Sequence, residues 1–123
     1  MSEKVLYLSL KKKWFDLIKS GEKKEEYREI KLYYEKRLLD FKSMVKDSRA
    51  LCFKLLVFGQ LPDICKEYSR NFERIVFTLG YPRADDAERR VIFKNPKIRF
   101  GEGKPEWGAE KGKKYFVITW EEK

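Results

Sequence analysis

Three charged side chains within six residues are the strongest candidates for chemistry in this sequence. Lys23, Glu26 and Arg28 follow Gly21 in the pattern Gly-x-Lys-x-x-Glu-x-Arg. On a β-strand, Glu26 and Arg28 share one face about 6–7 Å apart. Lys23 falls in the turn after Gly21, where a bulge would be needed to aim it at Glu26. Because burial moves the pKa of a lysine toward neutrality, Lys23 beside Glu26 is a candidate acid–base or oxyanion-stabilising pair. Lys23 and Glu26 are therefore the candidate catalytic residues, although the sequence leaves open whether the chain is an enzyme.

The same charges could instead serve the fold alone. Salt bridges among them would join the strand to the preceding helix, or the charges could protect an edge strand from pairing with other chains. A plain edge strand would carry lysines alone, whereas charges of both signs alternate here. We therefore favour a partly buried, ligand-binding cleft that brings Lys23, Glu26 and Arg28 together.

A glycine-rich loop over residues 101–110 is the second candidate site. Its glycines and proline would shape the backbone so that the amides can approach a ligand closely. Lys104 and Trp107 in this loop, and Tyr81 in the earlier Gly-Tyr-Pro turn, are candidate ligand-binding residues. Trp107 could be a stacking platform or a plug that seals a barrel. We favour the plug, because the residues at 108–109 are small.

The composition excludes several kinds of site. The chain has no histidine, which rules out Ser-His-Asp and Cys-His triads and any histidine-ligated metal. Cys52 and Cys65 lack CxxC spacing and are expected to be buried thiols in a reducing compartment. No apolar run is long enough to span a membrane, and no signal peptide is visible. We expect a cytoplasmic protein without a membrane partner, a metal or a cofactor.

The charge balance points to polyanions. The formal net charge is +9, and the excess is spread along the chain rather than gathered in a tail. Surplus lysine for solubility is the alternative explanation. Against it, cations alternate with aromatic residues in three segments, 11–14, 31–37 and 99–107. This mixture suits unpaired bases stacked on rings with cations on the flanking phosphates, so RNA or a nucleotide is the expected ligand. Trp14 and one of Tyr33 and Tyr34 are discounted as core residues.

The surrounding pattern predicts the elements that would position these side chains. The chain reads as one domain, 1–123, with strands at 5–10, 24–30, 72–79, 89–99 and 114–120. Helices are expected at 11–20 and 31–40, the first of them stopped by Gly21. Pro96 indicates a bulge or an edge in the fourth strand. The stretch 41–71 is interpreted as a mostly helical insertion, with a short helix at 62–68 and a helix or strand at 51–58.

The order of these features resembles the ASCH (activating-signal-cointegrator homology) domain, a small β-barrel related to the PUA fold. The resemblance covers about three quarters of the chain: the Gly21 to Arg28 signature, Val5 to Leu10, Trp14 to Gly21, Lys36 to Leu38, Gly80-Tyr81, Gly101-x-Gly103, Glu106 to Gly108 and Tyr115 to Trp120. It implies an α+β fold, a PUA-like mixed β-barrel of about five to six strands with helices packed at its openings. It also implies RNA or nucleotide binding in a basic cleft between the first helix and the barrel.

The resemblance leaves a second function open. Some compact ASCH-like proteins look like ribonucleases or like amidohydrolases acting on modified nucleosides, with the signature lysine as a central group. The amidohydrolase type has a threonine three positions after that lysine, and this chain has Glu26 there, which removes the nucleophile. A ribonuclease needs only an acid, a base and cations for the phosphate, which Lys23, Glu26 and Arg28 could supply. RNA or nucleotide binding remains the favoured function, and a small hydrolase is the alternative.

Overall fold

The computed structural model describes residues 4–49 and 64–122, which form an α+β fold as predicted. In chain order the elements are β1 (Val5–Leu10), α1 (Lys12–Lys19), β2 (Glu26–Glu29), α2 (Leu32–Leu38), α3 (Phe41–Lys46), α4 (Ile64–Tyr68), β3 (Arg74–Leu79), β4 (Arg90–Glu102), a 3₁₀ turn (Pro105–Trp107) and β5 (Lys114–Glu121). The five strands and the first two helices lie where the sequence predicts them, with ends that shift by a few residues.

One five-stranded sheet curls into a half-barrel. The strand order is β1-β3-β4-β5-β2, with β1 and β3 parallel and the other neighbours antiparallel. The two edge strands come close to one another, because Nη2 of Arg28 in β2 donates to the carbonyl oxygen of Ser9 in β1 at 2.8 Å. A side chain therefore spans the gap at which a closed barrel would have backbone hydrogen bonds.

Strand β4 is the bent strand that allows the sheet to curl. Residues 90–94 pair with β3, Lys94 and residues 97–102 pair with β5, and the register of the β4–β5 ladder shifts between Lys94 and Lys97. Asn95 has a φ of 49° at the shift, and Pro96 has no N–H to donate to a ladder. The predicted bulge at Pro96 is confirmed. The strand continues to Glu102 instead of ending at 99, so Gly101 pairs with β5 rather than belonging to a loop.

The core lies between the sheet and the helices. Buried residues alternate along β1. Helix α1 buries Phe15 and Ile18, which are three positions apart and therefore lie on the same helix face. Trp14 and Tyr34 pack against this core while Tyr33 is exposed, as expected for Trp14 and for one of the two tyrosines. The fully buried members include Leu8, Ile18, Leu38, Ile75, Phe77, Phe116 and Ile118.

The described part of the predicted insertion is helical, as expected. Helix α3 begins at an Asp40 side chain that accepts from the N–H of Ser43 at 3.3 Å, a standard N-cap contact. Helix α4 covers most of the predicted 62–68 segment and holds the buried Cys65. The predictions for 51–58 and for Cys52 lie outside the described residues.

Candidate functional site

The turn after α1 delivers Lys23 into the protein interior. Gly21 has a φ of 86°, a left-handed conformation that a residue with a Cβ rarely adopts. The N–H groups of Glu22 and Lys23 both donate to the carbonyl oxygen of Leu17 at 3.0 Å, so the chain wraps tightly around the helix end. This tether explains why β2 begins at Glu26 rather than at 24. It also brings Lys23 to Glu26, through a tight turn at the helix end rather than through the bulge expected from the sequence.

Lys23, Glu26 and Arg28 form one buried ion network. Nζ of Lys23 lies 2.8 Å from Oε1 of Glu26, and Nη2 of Arg28 lies 2.7 Å from Oε2. Lys23 is 2% exposed and Glu26 is 6% exposed. Trp14 covers the lysine, with Nζ 4.4 Å from the ring centroid. The three signature side chains therefore converge, but Lys23 lies beneath the surface.

Burial and pairing move the pKa values of Lys23 and Arg28 in opposite directions. Burial lowers the pKa of Lys23, and the attraction of Glu26 offsets this only in part. Burial alone would also lower the pKa of Arg28, but Glu26 and the Tyr34 hydroxyl outweigh it and raise that pKa. Arg28 therefore stays charged, with 15% of its side chain exposed.

Arg28 in β2 connects that strand to α2 and β1 through side-chain hydrogen bonds. In addition to Glu26, it donates from Nη1 to the Tyr34 hydroxyl of α2 at 3.0 Å and from Nη2 to the Ser9 carbonyl of β1. Its Nε atom is buried and has no hydrogen-bond partner. The guanidinium is thus fixed by the fold while one of its donors remains unused.

Arg28 lies on the wall of a cavity of about 450 Å³, here called the arginine cleft. Among the described residues, its lining combines three arginines with four tyrosines and includes no aspartate or glutamate: Arg28, Arg37, Arg90, Tyr7, Tyr33, Tyr34 and Tyr81, besides Leu8, Ser9, Thr78, Gly80 and Pro82. Helix α2, strand β1 and the turn after β3 supply most of the lining. A cavity with this composition attracts anions and offers rings for stacking.

The other two arginines of the cleft are also anchored to backbone carbonyls. Nη2 of Arg37 donates to the carbonyl of Tyr7, and Nη2 of Arg90 donates to that of Pro82 at 3.3 Å. Nη1 of Arg90 is buried without a partner. Neither arginine was predicted as a site residue. Arg37 at least lies in the segment 31–37, where cations and aromatics alternate, whereas Arg90 carries no local signal.

A second cavity, of about 390 Å³, adjoins the arginine cleft and lies between α1 and the sheet. The two cavities share Ser9, Arg28 and Gly80, and the second adds Lys11, Trp14 and Glu26. This smaller cavity matches the predicted position between the first helix and the barrel. Arg28 and its neighbours form the boundary between the two.

The remaining predicted site residues divide between two places. Tyr81 lines the arginine cleft and is 96% exposed. Lys104 and Trp107 line neither of the two cavities, and they contact each other, with Nζ of Lys104 4.4 Å from the Trp107 ring. The 101–110 segment is attached to β2, because the Lys104 N–H donates to the Tyr27 hydroxyl at 3.0 Å.

The interpretation of Trp107 as a plug is wrong. Trp107 is only half-buried and does not belong to the hydrophobic core or to the residues packed against it. The small residue at 108 accommodates Trp14 instead, since a Cβ on Gly108 would lie 2.9 Å from Cζ2 of that ring. Trp14, not Trp107, therefore packs against the core and over Lys23.

Gly108→Ala is expected to lower the free energy of unfolding by about 2–4 kcal/mol, from strain at its φ of 99° and from the clash with Trp14. Gly112→Ala is the matched control, because Gly112 also has a positive φ of 80° but open space around its Cβ position. The control should cost only about 1–2 kcal/mol. Urea unfolding measures both, and equal costs would contradict the seating of Trp14 on Gly108.

A cavity larger than the arginine cleft is a weaker candidate for a ligand site. It has a volume of about 750 Å³ and lies beside the end of α1 and the start of β4. Its charged lining residues are Lys19, Arg90 and Glu122, so the signs are mixed and no set of like groups converges. The arginine cleft is smaller but has the stronger chemical bias.

No family model, curated protein or solved structure matches this chain. Within the described residues, no helix is long and apolar enough to cross a membrane, and no three acidic or cysteine side chains group as metal ligands would. The geometry of the site therefore carries the functional argument.

Proposed function

We propose that this protein binds single-stranded RNA or a nucleotide through the arginine cleft. Guanidinium groups are planar donors that suit phosphate oxygens, and exposed tyrosine rings suit unpaired bases. The cleft brings both kinds of group together, and the part of its wall that the structure describes carries no carboxylate. The net charge of +9 would favour the approach of such a ligand from a distance.

The observation that carries this proposal is the convergence of arginines and tyrosines on one cavity. Among the described residues, Arg28, Arg37 and Arg90 line the arginine cleft together with four tyrosine rings. Nε of Arg28 and Nη1 of Arg90 have no acceptor among these residues, but both atoms are covered by protein, so a ligand in the cleft would reach them only if the two side chains reoriented. The shared cavity wall, and not these two atoms, therefore supports RNA or nucleotide binding.

We also propose that the half-barrel is a PUA-like ASCH domain and that the protein is cytoplasmic. The support for the fold family is the ordered sequence resemblance, together with a five-stranded sheet in which α1 and the signature turn lie beside the ligand cavity. The predicted cleft between the first helix and the barrel corresponds to the smaller cavity. The arginine cleft extends it toward α2.

The hydrolase alternative draws no support from the geometry of Lys23 and Glu26. Both oxygens of Glu26 are already bonded to cations, and Lys23 is covered by Trp14. A general acid or base must reach the proton that it transfers. In this arrangement the pair instead positions Arg28, which is the member of the signature that reaches the cleft.

The proposal predicts that Tyr81→Ala weakens the binding of a short oligouridylate by about 1–3 kcal/mol, the usual contribution of one stacked base. Stability should not change, since Tyr81 is almost fully exposed. Tyr81→Phe, which keeps the ring, is the control and should bind as the natural protein does. Fluorescence anisotropy of the labelled RNA measures all three.

Salt provides the second readout of the same titration. Each phosphate contact on a single strand contributes about −0.7 to the slope of log K against log salt, so the three arginines predict about −2. No measurable binding of RNA or of a mononucleotide at low salt would overturn the proposal. Binding with a steep slope but no effect of Tyr81→Ala would reduce it to general attraction of polyanions.

A further inference from the structure

The arrangement of charge in the arginine cleft indicates which part of a nucleotide it holds. We propose that the cleft binds a terminal phosphate monoester, at the end of a single strand or on a mononucleotide, in preference to the phosphodiesters within a chain. This inference rests on the proposed function and narrows its ligand to one chemical group.

Three of the cations near the signature line a single cavity rather than successive ones. Arg28, Arg37 and Arg90 line a single cavity, whereas the adjoining cavity adds one lysine, Lys11, and the carboxylate of Glu26. A groove that follows an internal backbone would repeat its cations along the strand, since each phosphodiester carries a single charge. A phosphate monoester carries about −1.5 to −2 at pH 7. One strongly charged group therefore matches this cleft better than a series of weakly charged ones.

The three guanidinium groups are anchored before any ligand binds. Each guanidinium is held by a backbone carbonyl, that of Ser9 for Arg28, of Tyr7 for Arg37 and of Pro82 for Arg90. Anchoring before binding reduces the ordering cost of association. A monoester presents three terminal oxygens, one for each guanidinium, whereas a phosphodiester has only two that are not esterified.

The size of the cleft agrees with a chain end. About 450 Å³ lies in the lower part of the range of about 300–1,000 Å³ typical of small-molecule cavities. Tyr81 stands on the wall with its ring open to solvent, where the base next to the bound phosphate can stack. The site thus offers one place for a phosphate and one for its neighbouring base.

Three oligouridylates of about eight nucleotides test the inference, a length within the site sizes of single-strand binders. They differ only in their ends: a 5′-phosphate, a 3′-phosphate, or hydroxyls at both ends. Unlabelled titration calorimetry near pH 7.5 should show one phosphorylated strand binding about tenfold tighter, a preference of about 1.4 kcal/mol. Uridine monophosphate should compete for the cleft and uridine should not. Arg90→Gln should reduce the preference, and Arg89→Gln, an exposed neighbour paired with Asp86, should leave it unchanged.

The pH dependence of the preference for a phosphorylated strand distinguishes recognition of the phosphate monoester from general electrostatic attraction. The second pKa of a phosphate monoester is near 6, so at pH 5 it becomes largely a monoanion like the diester. The chain has no histidine, the side chain whose ordinary pKa lies in that interval. The preference for the phosphorylated strand should therefore fall below about threefold at pH 5 as the ligand takes up its proton.

The outcomes separate this inference from the proposed function. Equal affinity for all three strands, with Tyr81→Ala still weakening them, overturns the terminal-phosphate inference and leaves RNA binding intact. Binding of uridine monophosphate alone supports the phosphate inference and assigns the cleft to a mononucleotide. No binding of any of these ligands overturns both.

Discussion

Glu26→Gln is expected to lower the free energy of unfolding by about 3–5 kcal/mol, the usual cost of removing one partner from a buried ion network. The substitution preserves the shape of the side chain but leaves Lys23 and Arg28 as two cations around a neutral amide. Lys23 is 2% exposed, so water cannot replace the lost carboxylate. Urea unfolding followed by tryptophan fluorescence measures the effect.

Glu29→Gln is the matched control on the same strand. Glu29 lies 3.7 Å from Lys113 in an exposed pair, and such pairs contribute about 0–1 kcal/mol. Similar losses for the two variants would contradict the buried network. Combining Lys23→Met with Glu26→Gln removes one orphaned cation, and it should therefore cost less than the two single losses added together.

The sequence was sufficient to predict the elements that hold the signature. Leucines alternate along β1 with the period of a strand, and Gly21 ends α1 through a positive φ. Both signals are local, which is why a pattern along the chain can detect them. The bend after Gly21, which brings Lys23 to Glu26, follows from the same local geometry.

The composition of the cleft was harder to predict, because it depends on contacts between distant parts of the chain. Arg90 lines the same cleft as Arg28 only because β4 pairs with β3 and the sheet curls until its two edges come close. Nothing in the residues beside Arg90 marks that position. Trp14 and Gly108 show the same limit. The sequence pattern related the small Gly108 to the packing of its neighbour Trp107, whereas in the structure Gly108 makes room for Trp14, which is distant along the chain.

The largest expected effect on binding comes from the two cleft arginines that lie outside the buried network. Arg37→Gln combined with Arg90→Gln should weaken single-stranded RNA binding by about 100-fold or more, because each charge-assisted hydrogen bond contributes about 1.5–3 kcal/mol. The slope of log K against log salt should become shallower by up to about 1.4 units, about 0.7 for each cation removed from contact with phosphate. Anisotropy titrations at several salt concentrations measure both quantities, with urea unfolding to confirm that the variant is folded.

A charge-matched control decides whether position or net charge is responsible. Arg89→Gln combined with Arg99→Gln removes the same two charges from exposed residues that pair with Asp86 and Glu25, and neither arginine lines the arginine cleft. At about 0.1 M salt the screening length is about 10 Å, so surface charges outside the cleft should change affinity by only a few fold. Equal losses in the two double variants would mean that the protein attracts RNA by net charge alone. If only the Arg37 and Arg90 double variant loses affinity, the RNA must sit within the arginine cleft. Both double variants lower the net charge equally, so in that case the position of the two charges determines binding.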